Sequence, residues 1–211
     1  MVGSAMEESK RLAAGGENLA DGRLPLPGRP LPGRDASDHP GALGPTAEDE
    51  SYDIRIGIDG TWYYHESPIG RLPLVKLFAS VLRRDEAGDY WLVTPAERGR
   101  IRVDDVPFMV VEAAFEGTGP DQTVRFRTSL DEWVTAGPGH PIHVRTDART
   151  GEPRPYILVR DNLEARINRP VFYELVERGE SRRRPDGPGS GGTEFGLWSD
   201  GTFFPLGSLT D

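Results

Sequence analysis

Arg125 and Arg127 alternate along a short run that leads to Trp133, and Arg166, Asn168 and Arg169 stand just before Phe172 and Tyr173. Arginine forks and an amide can grip a phosphate or carboxylate, the free N–H groups of a helix's first turn add to that grip, and an indole or phenol offers a flat face to a base. Arg127, Trp133, Arg166, Asn168, Arg169 and Tyr173 are therefore the candidate ligand-binding residues. The competing explanation for the same arginines is a solvated sheet face on which they pair with Asp161, Glu164 and Glu174.

Other constellations carry less. His140-x-x-His143 has the look of a ligand pair, but on extended backbone residues three apart point to opposite faces, and no third ligand is near in sequence, so no metal is expected. Asp104-Asp105 sits in a turn where neighbouring carboxylates diverge. There is no nucleophile elbow, dinucleotide fingerprint, kinase signature or phosphate-binding loop. With no cysteine in the chain, thiolate metal sites and Cys nucleophiles are excluded. No catalytic residue and no cofactor are assigned; a hydrolase built on Asp59, His65 or Asp104 stands only as an alternative.

These residues need elements to hold them. Ile54, Ile56 and Ile58 alternate with polar or small residues before Asp59-Gly60, which reads as a hairpin with a type I′ turn and sets Ile56 opposite Tyr63. Leu74, Leu77, Phe78, Val81 and Leu82 follow a helical period and predict one helix over 73–84, with Pro73 in its first turn. Strands are expected at 90–94, 100–103, 108–115, 123–128, 133–136, 141–146 and 156–160, and a short helix after Pro170. Phe195, Leu197, Trp198, Phe203, Phe204 and Leu206 predict a folded C-terminal part.

All 4 Trp, 6 Tyr and 8 Phe lie at or beyond Tyr52, and the first 50 residues hold 8 Gly and 6 Pro. Such a segment buries too little apolar surface to offset its ordering entropy, so residues 1–51 read as a disordered tail. Residues 179–194, with three successive arginines and a Gly-rich stretch, read as a flexible loop. The net charge of −9 argues against bulk nucleic-acid binding. The absence of a long apolar run or an export signal argues against a membrane and for the cytoplasm.

Two stretches repeat. Tyr90-x-Leu92-Val93 is followed at the same spacing by Arg100-Ile101 as Tyr156-x-Leu158-Val159 is by Arg166-Ile167. Pro107-Phe108 with Val110-Val111-Glu112 parallels Pro170-Val171-Phe172 with Leu175-Val176-Glu177, and Asp59-Gly60-Thr61-Trp62-Tyr63 resembles Asp200-Gly201-Thr202-Phe203-Phe204. The repeats predict an α+β fold of two related units, mostly antiparallel, with copies over about 52–117 and 123–207, the second in permuted form if the terminal hairpin belongs to it. The domain reading is a tail at 1–51, a first unit at 52–117 and a second at 118–211.

The chain also resembles the bacterial family catalogued as domain of unknown function 1285. The resemblance rests on Ile-Asp-Gly-Thr-Trp-Tyr-Tyr (58–64), Ser-Pro-Ile-Gly-Arg (67–71), Leu-Phe-Ala-Ser-Val-Leu-Arg-Arg (77–84), Tyr-Trp-Leu-Val-Thr-Pro (90–95), Arg-Thr-Ser-Leu-Asp-Glu-Trp-Val (127–134) and, above all, Leu-Glu-Ala-Arg-Ile-Asn-Arg-Pro-Val-Phe-Tyr-Glu-Leu-Val-Glu (163–177). It implies a duplicated α+β core, a second unit loosely like a pleckstrin-homology barrel, a site for a nucleotide-like ligand between the units, and a role in signalling. The expectation is a ligand-responsive regulatory protein that binds a small anionic molecule. A protein-interaction module without a small ligand is the alternative.

Overall fold

The structure, a computed structural model, describes residues 50–183 and 192–209. The tail reading of 1–51 therefore falls outside the described residues except at its end, where Glu50 and Ser51 already pair with Gly99 and Arg100. The chain divides into two units, residues 50–57 with 61–104, and residues 58–60 with 105 onward.

In the first unit the strands are β1 (Glu50–Ile56), β2 (Trp62–Tyr64), β3 (Ser67–Pro68), β4 (Leu82–Arg84), β5 (Tyr90–Val93) and β6 (Arg98–Val103), with helix α1 (Leu72–Ser80) between β3 and β4. They form one sheet in the order β3-β2-β1-β6-β5-β4, antiparallel throughout except for the central β1 and β6. Period-two alternation buries Tyr52, Ile54 and Ile56, so Arg55 is left on the opposite face. Helix α1 buries Val75 and Ala79, and Phe78 stacks on Trp62.

The predicted helix over 73–84 stops four residues early. Leu82 to Arg84 is strand, facing Leu92 to Tyr90. Asp85 closes that hairpin: its carboxylate accepts from the Asp89 N–H and from the Trp91 indole, each at 2.8 Å. Leu82, with its side chain inaccessible, serves the sheet core in place of a helix face. The Asp59-Gly60 hairpin also differs in detail. Only Gly60 takes a positive φ, the loop spans 57–61, and Ile56 faces Trp62 in place of Tyr63.

The second unit starts with β7 (Phe108–Glu116), β8 (Thr123–Thr128), β9 (Trp133–Thr135), β10 (Ile142–Thr146), β11 (Pro153–Arg160) and β12 (Leu163–Ile167), followed by α2 (Arg169–Glu177), β13 (Glu180–Arg183), β14 (Thr193–Ser199) and β15 (Thr202–Leu209). Its first six strands lie in the order β9-β8-β7-β12-β11-β10, with β7 and β12 parallel at the centre. Strand for strand this is the order of the first sheet. β7, placed by sequence in the first unit, belongs here because its partners are β8 and β12. The Pro107 and Pro170 stretches are not equivalent, since one opens a strand and the other a helix. Strand β12 was not expected.

The terminal strands form a third sheet, β13-β14-β15. The loop reading of 179–194 is replaced at both flanks by paired strand, and its centre, 184–191, lies outside the described residues. Here Asp200 and Gly201 both take positive φ between paired Ser199 and Thr202, the two-residue turn expected of the other Asp-Gly. Ser199 ties this hairpin to the main sheet: its hydroxyl accepts from Val124 N–H at 2.9 Å and donates to Ala136 O at 2.7 Å. Four of the edge strands are short or interrupted: β3 has two residues and ends in Pro68, β4 and β9 have three, and β15 carries Pro205.

Gly196 sits at a bulge against Phe204, where a Cβ would run into the Phe204 carbonyl oxygen. Backbone cannot yield there, so Gly196→Ala is expected to lower stability by about 2 kcal/mol. Urea denaturation of the variant beside the parent protein measures the loss.

Candidate functional site

Leu163, Ala165 and Ile167 of β12 point into the second unit's core together with Val124 and Phe126 of β8, so the alternate residues share the opposite, polar face. Register places them on it: Tyr156 is opposite Arg166 and Arg166 opposite Met109, while three residues further along β7 Glu112 is opposite Arg127, and Arg127 is opposite Trp133. Three of the six candidate residues, Arg127, Trp133 and Arg166, thus lie on one sheet face. Trp133 is 46% exposed with the Arg125 guanidinium 5.6 Å from its ring centre.

The arginines on this face are already engaged. Arg127 meets Glu112 at 2.6 Å and Asp131 at 3.1 Å, and Arg125 meets Glu116 at 3.1 Å. Arg166 is held more loosely, 3.5 Å from Asp105. The other three candidates are not drawn to this face. Asn168 caps α2, its side-chain oxygen accepting from Val171 N–H at 3.0 Å, which commits it to the helix. Arg169 pairs with Glu152 at 2.6 Å, and Tyr173 is 61% exposed on α2, whose buried side is Val171 and Leu175.

Around Arg166 lies a denser network that sequence reasoning did not assemble. The Tyr156 hydroxyl donates to Asp105, with its carboxylate oxygens at 3.0 and 3.1 Å. The Tyr156 ring stacks on His143 and has the Arg145 guanidinium 4.4 Å from its centre. Glu164 takes Arg145 at 2.5 Å and His143 Nε2 at 3.3 Å. Burial is the largest influence on His143 and lowers its pKa, with Arg145 lowering it further and Glu164 opposing. Burial first, then the Asp105 carboxylate, raises that of Tyr156. The repeat had marked Tyr156 and Arg166, but only the assembled order β10-β11-β12 brings in His143, Arg145 and Glu164, and the turn before β7 brings in Asp105.

The residues set aside by sequence reasoning separate in space. His140 Nδ1 lies 3.0 Å from Leu158 O, while His143 faces Glu164. Asp104 binds Arg55 in the first unit and Asp105 binds Tyr156 in the second. His65 meets Asp53 at 2.6 Å. Among the described residues no group of His, Asp and Glu could hold a metal ion.

Fold and face together define a two-unit protein whose described residues are mostly β with two α-helices, and a cationic, aromatic sheet face neutralised by its own carboxylates. The chain belongs to the DUF1285 family: the family's N-terminal domain, a domain of unknown function, matches residues 44–106, and its C-terminal domain matches residues 107–206. It is similar to a crystal structure of a DUF1285 family protein from Silicibacter pomeroyi DSS-3, with 42% identity, 80% of this chain and 91% of that one covered, and a TM-score of 0.68. A DUF1285 family protein from Shewanella baltica OS155 aligns at 24% identity over 60% of this chain and 92% of that one, with a TM-score of 0.47. No curated protein matches the chain.

Removing the Tyr156 hydroxyl leaves Asp105, only 14% exposed, without its main donor. Tyr156→Phe is expected to cost about 1–2 kcal/mol in urea denaturation. Acid exposes the other half of the network. Because folded His143 resists protonation, the unfolded chain binds more protons below the ordinary value of 6.5, so stability falls as pH drops through that value. Thermal melts across this range should show the fall in the parent protein, and a shallower one in His143→Gln.

Proposed function

We propose that this chain is a ligand-responsive regulatory protein, acting in signal transduction, that takes a small anionic, nucleotide-like molecule on the polar face of its second sheet. Arg127 and Arg166 would meet the anion and Trp133 the flat base. The supporting observation is the register that sets these three on one face, with the indole open. The ion pairs that now hold Arg127 join solvent-exposed groups; such pairs contribute little to stability, so a phosphate can replace a carboxylate there at little cost. Asn168, Arg169 and Tyr173 drop out of this form of the reading.

The common strand order of the two six-stranded sheets supports a further part of it, that the units descend from one duplicated sheet, with copies at 50–103 and 108–167. The helix that directly follows β12 is the feature in favour of a pleckstrin-homology-like second unit. Tyr173 and Val176, exposed one turn apart on α2, favour the alternative of a protein partner.

The test is a thermal-shift screen of the full chain against nucleotides and nucleotide second messengers. A ligand at 100 times its dissociation constant adds about 2.7 kcal/mol, enough to raise the midpoint visibly. Arg127→Ala and Arg166→Ala should abolish the shift, and Trp133→Leu should weaken it. No shift with any compound into the millimolar range ends the reading.

A further inference from the structure

A second cationic surface lies on the outer face of the first sheet, and nothing in the proposed function uses it. A groove of about 540 Å³ crosses β1, β5 and β6 there, lined by Ser51, Gly88, Asp89, Trp91, Arg100 and Arg102 among others. Arg100 and Arg102 alternate with buried Ile101, so both project to this face with their Cα atoms about 6.6 Å apart. They are 54% and 65% exposed at the side chain. Arg102 stands directly across the parallel pair from Arg55, a like-charge neighbour that demands an anion between the two.

Glu66 supplies that anion from an uncomfortable place. Tyr64 pairs with Ser67, so His65 and Glu66 form a two-residue turn, and both take positive φ, 46° and 58°, in a conformation that glycine and asparagine adopt far more readily. From this turn one Glu66 oxygen reaches Arg55 at 3.0 Å and the other reaches Arg102 at 2.9 Å. Asp104 lies 2.8 Å from Arg55, and Asp89 holds Arg100 at 2.5 Å. Glu66 is 62% exposed and Asp89 35%, so neither pair is locked away from water. Trp91 is unavailable for stacking: it is 6% exposed, its indole N–H is bonded to Asp85, and Arg98 lies over its ring at 4.1 Å.

We propose that this groove is a binding site for a compact oxyanion carrying two adjacent phosphate or carboxylate groups, and that Glu66 and Asp89 occupy its arginines until such a ligand replaces them. Two arginines one step apart match two neighbouring oxyanions, each taken by a planar fork. The closed indole offers a flat base no face to stack on, which separates this ligand from the nucleotide-like molecule of the second unit.

Isothermal titration of the full chain with inorganic pyrophosphate, and in parallel with malonate, tests the proposal and distinguishes phosphate from carboxylate. Saturable binding of at least one probe is expected, about tenfold weaker in Arg100→Gln and in Arg102→Gln, and tighter in Glu66→Gln, which removes the competing carboxylate without emptying the turn. Arg127→Ala and Arg166→Ala should leave it unchanged, so failure of the second-unit reading does not touch this one. Circular dichroism melts establish that each variant is folded. No saturable heat with either probe overturns the proposal, as does binding indifferent to both groove arginines or weakened by Glu66→Gln.

Discussion

In each unit the first strand of the main sheet lies beside the sixth and parallel to it, and every other pairing is arranged around that contact. A parallel pair of strands needs a crossover, and here the crossover is most of the unit: two strands lie outward of β1, two outward of β6, and the same holds around β7 and β12. The centre of each sheet is thus made from residues distant in sequence, whose contacts pay late in folding. It is also where the charged faces are built. Arg55 and Arg102 meet only because β1 and β6 are neighbours, and Arg166 reaches the face shared with Arg127 only because β12 lies against β7.

That dependence accounts for what could be read from sequence. Local pairings were legible: the strands at 90–93 and 123–128, the helix after Pro170 and the turn at Asp200-Gly201 all follow from alternation, period and turn chemistry. The helix end at Ser80 was not, because Val81 and Leu82 continue the helical period and only pairing with β5 makes Leu82 a strand residue. The Tyr-x-Leu-Val repeat located β5 and β11 correctly, whereas β12, where its Arg166-Ile167 part falls, was not read as strand. Its limit is register. Tyr90 faces Ile101 and is turned to the core side, whereas Tyr156 faces Arg166 and takes a place on the polar face. A one-residue offset moves a side chain through the sheet, and equal spacing in sequence cannot reveal it.

The candidate site was legible to the same degree. Arg127 and Trp133 are cross-strand partners in one hairpin, which alternation could place, and Arg166 joins them through the central pair. Asn168, which looked like an amide for a ligand, is spent on the N-terminus of α2. Conversely Asp105 looked like half of a solvated turn, yet it accepts the Tyr156 hydroxyl across 51 residues. Both surprises have one source: a polar side chain's role depends on which backbone or side-chain donor is within reach, and that is a property of the assembled sheet.

The truncated and proline-bearing edges have a consequence for the chain among other proteins at high concentration. An open sheet offers unpaired N–H and C=O groups to any other extended chain, and long apolar edges template aggregation. Here β3 ends after two residues at a proline, β4 and β9 after three, and Pro205 removes a donor from β15. Three open sheets can therefore coexist in one small protein while presenting little on these sides for a stray strand to copy.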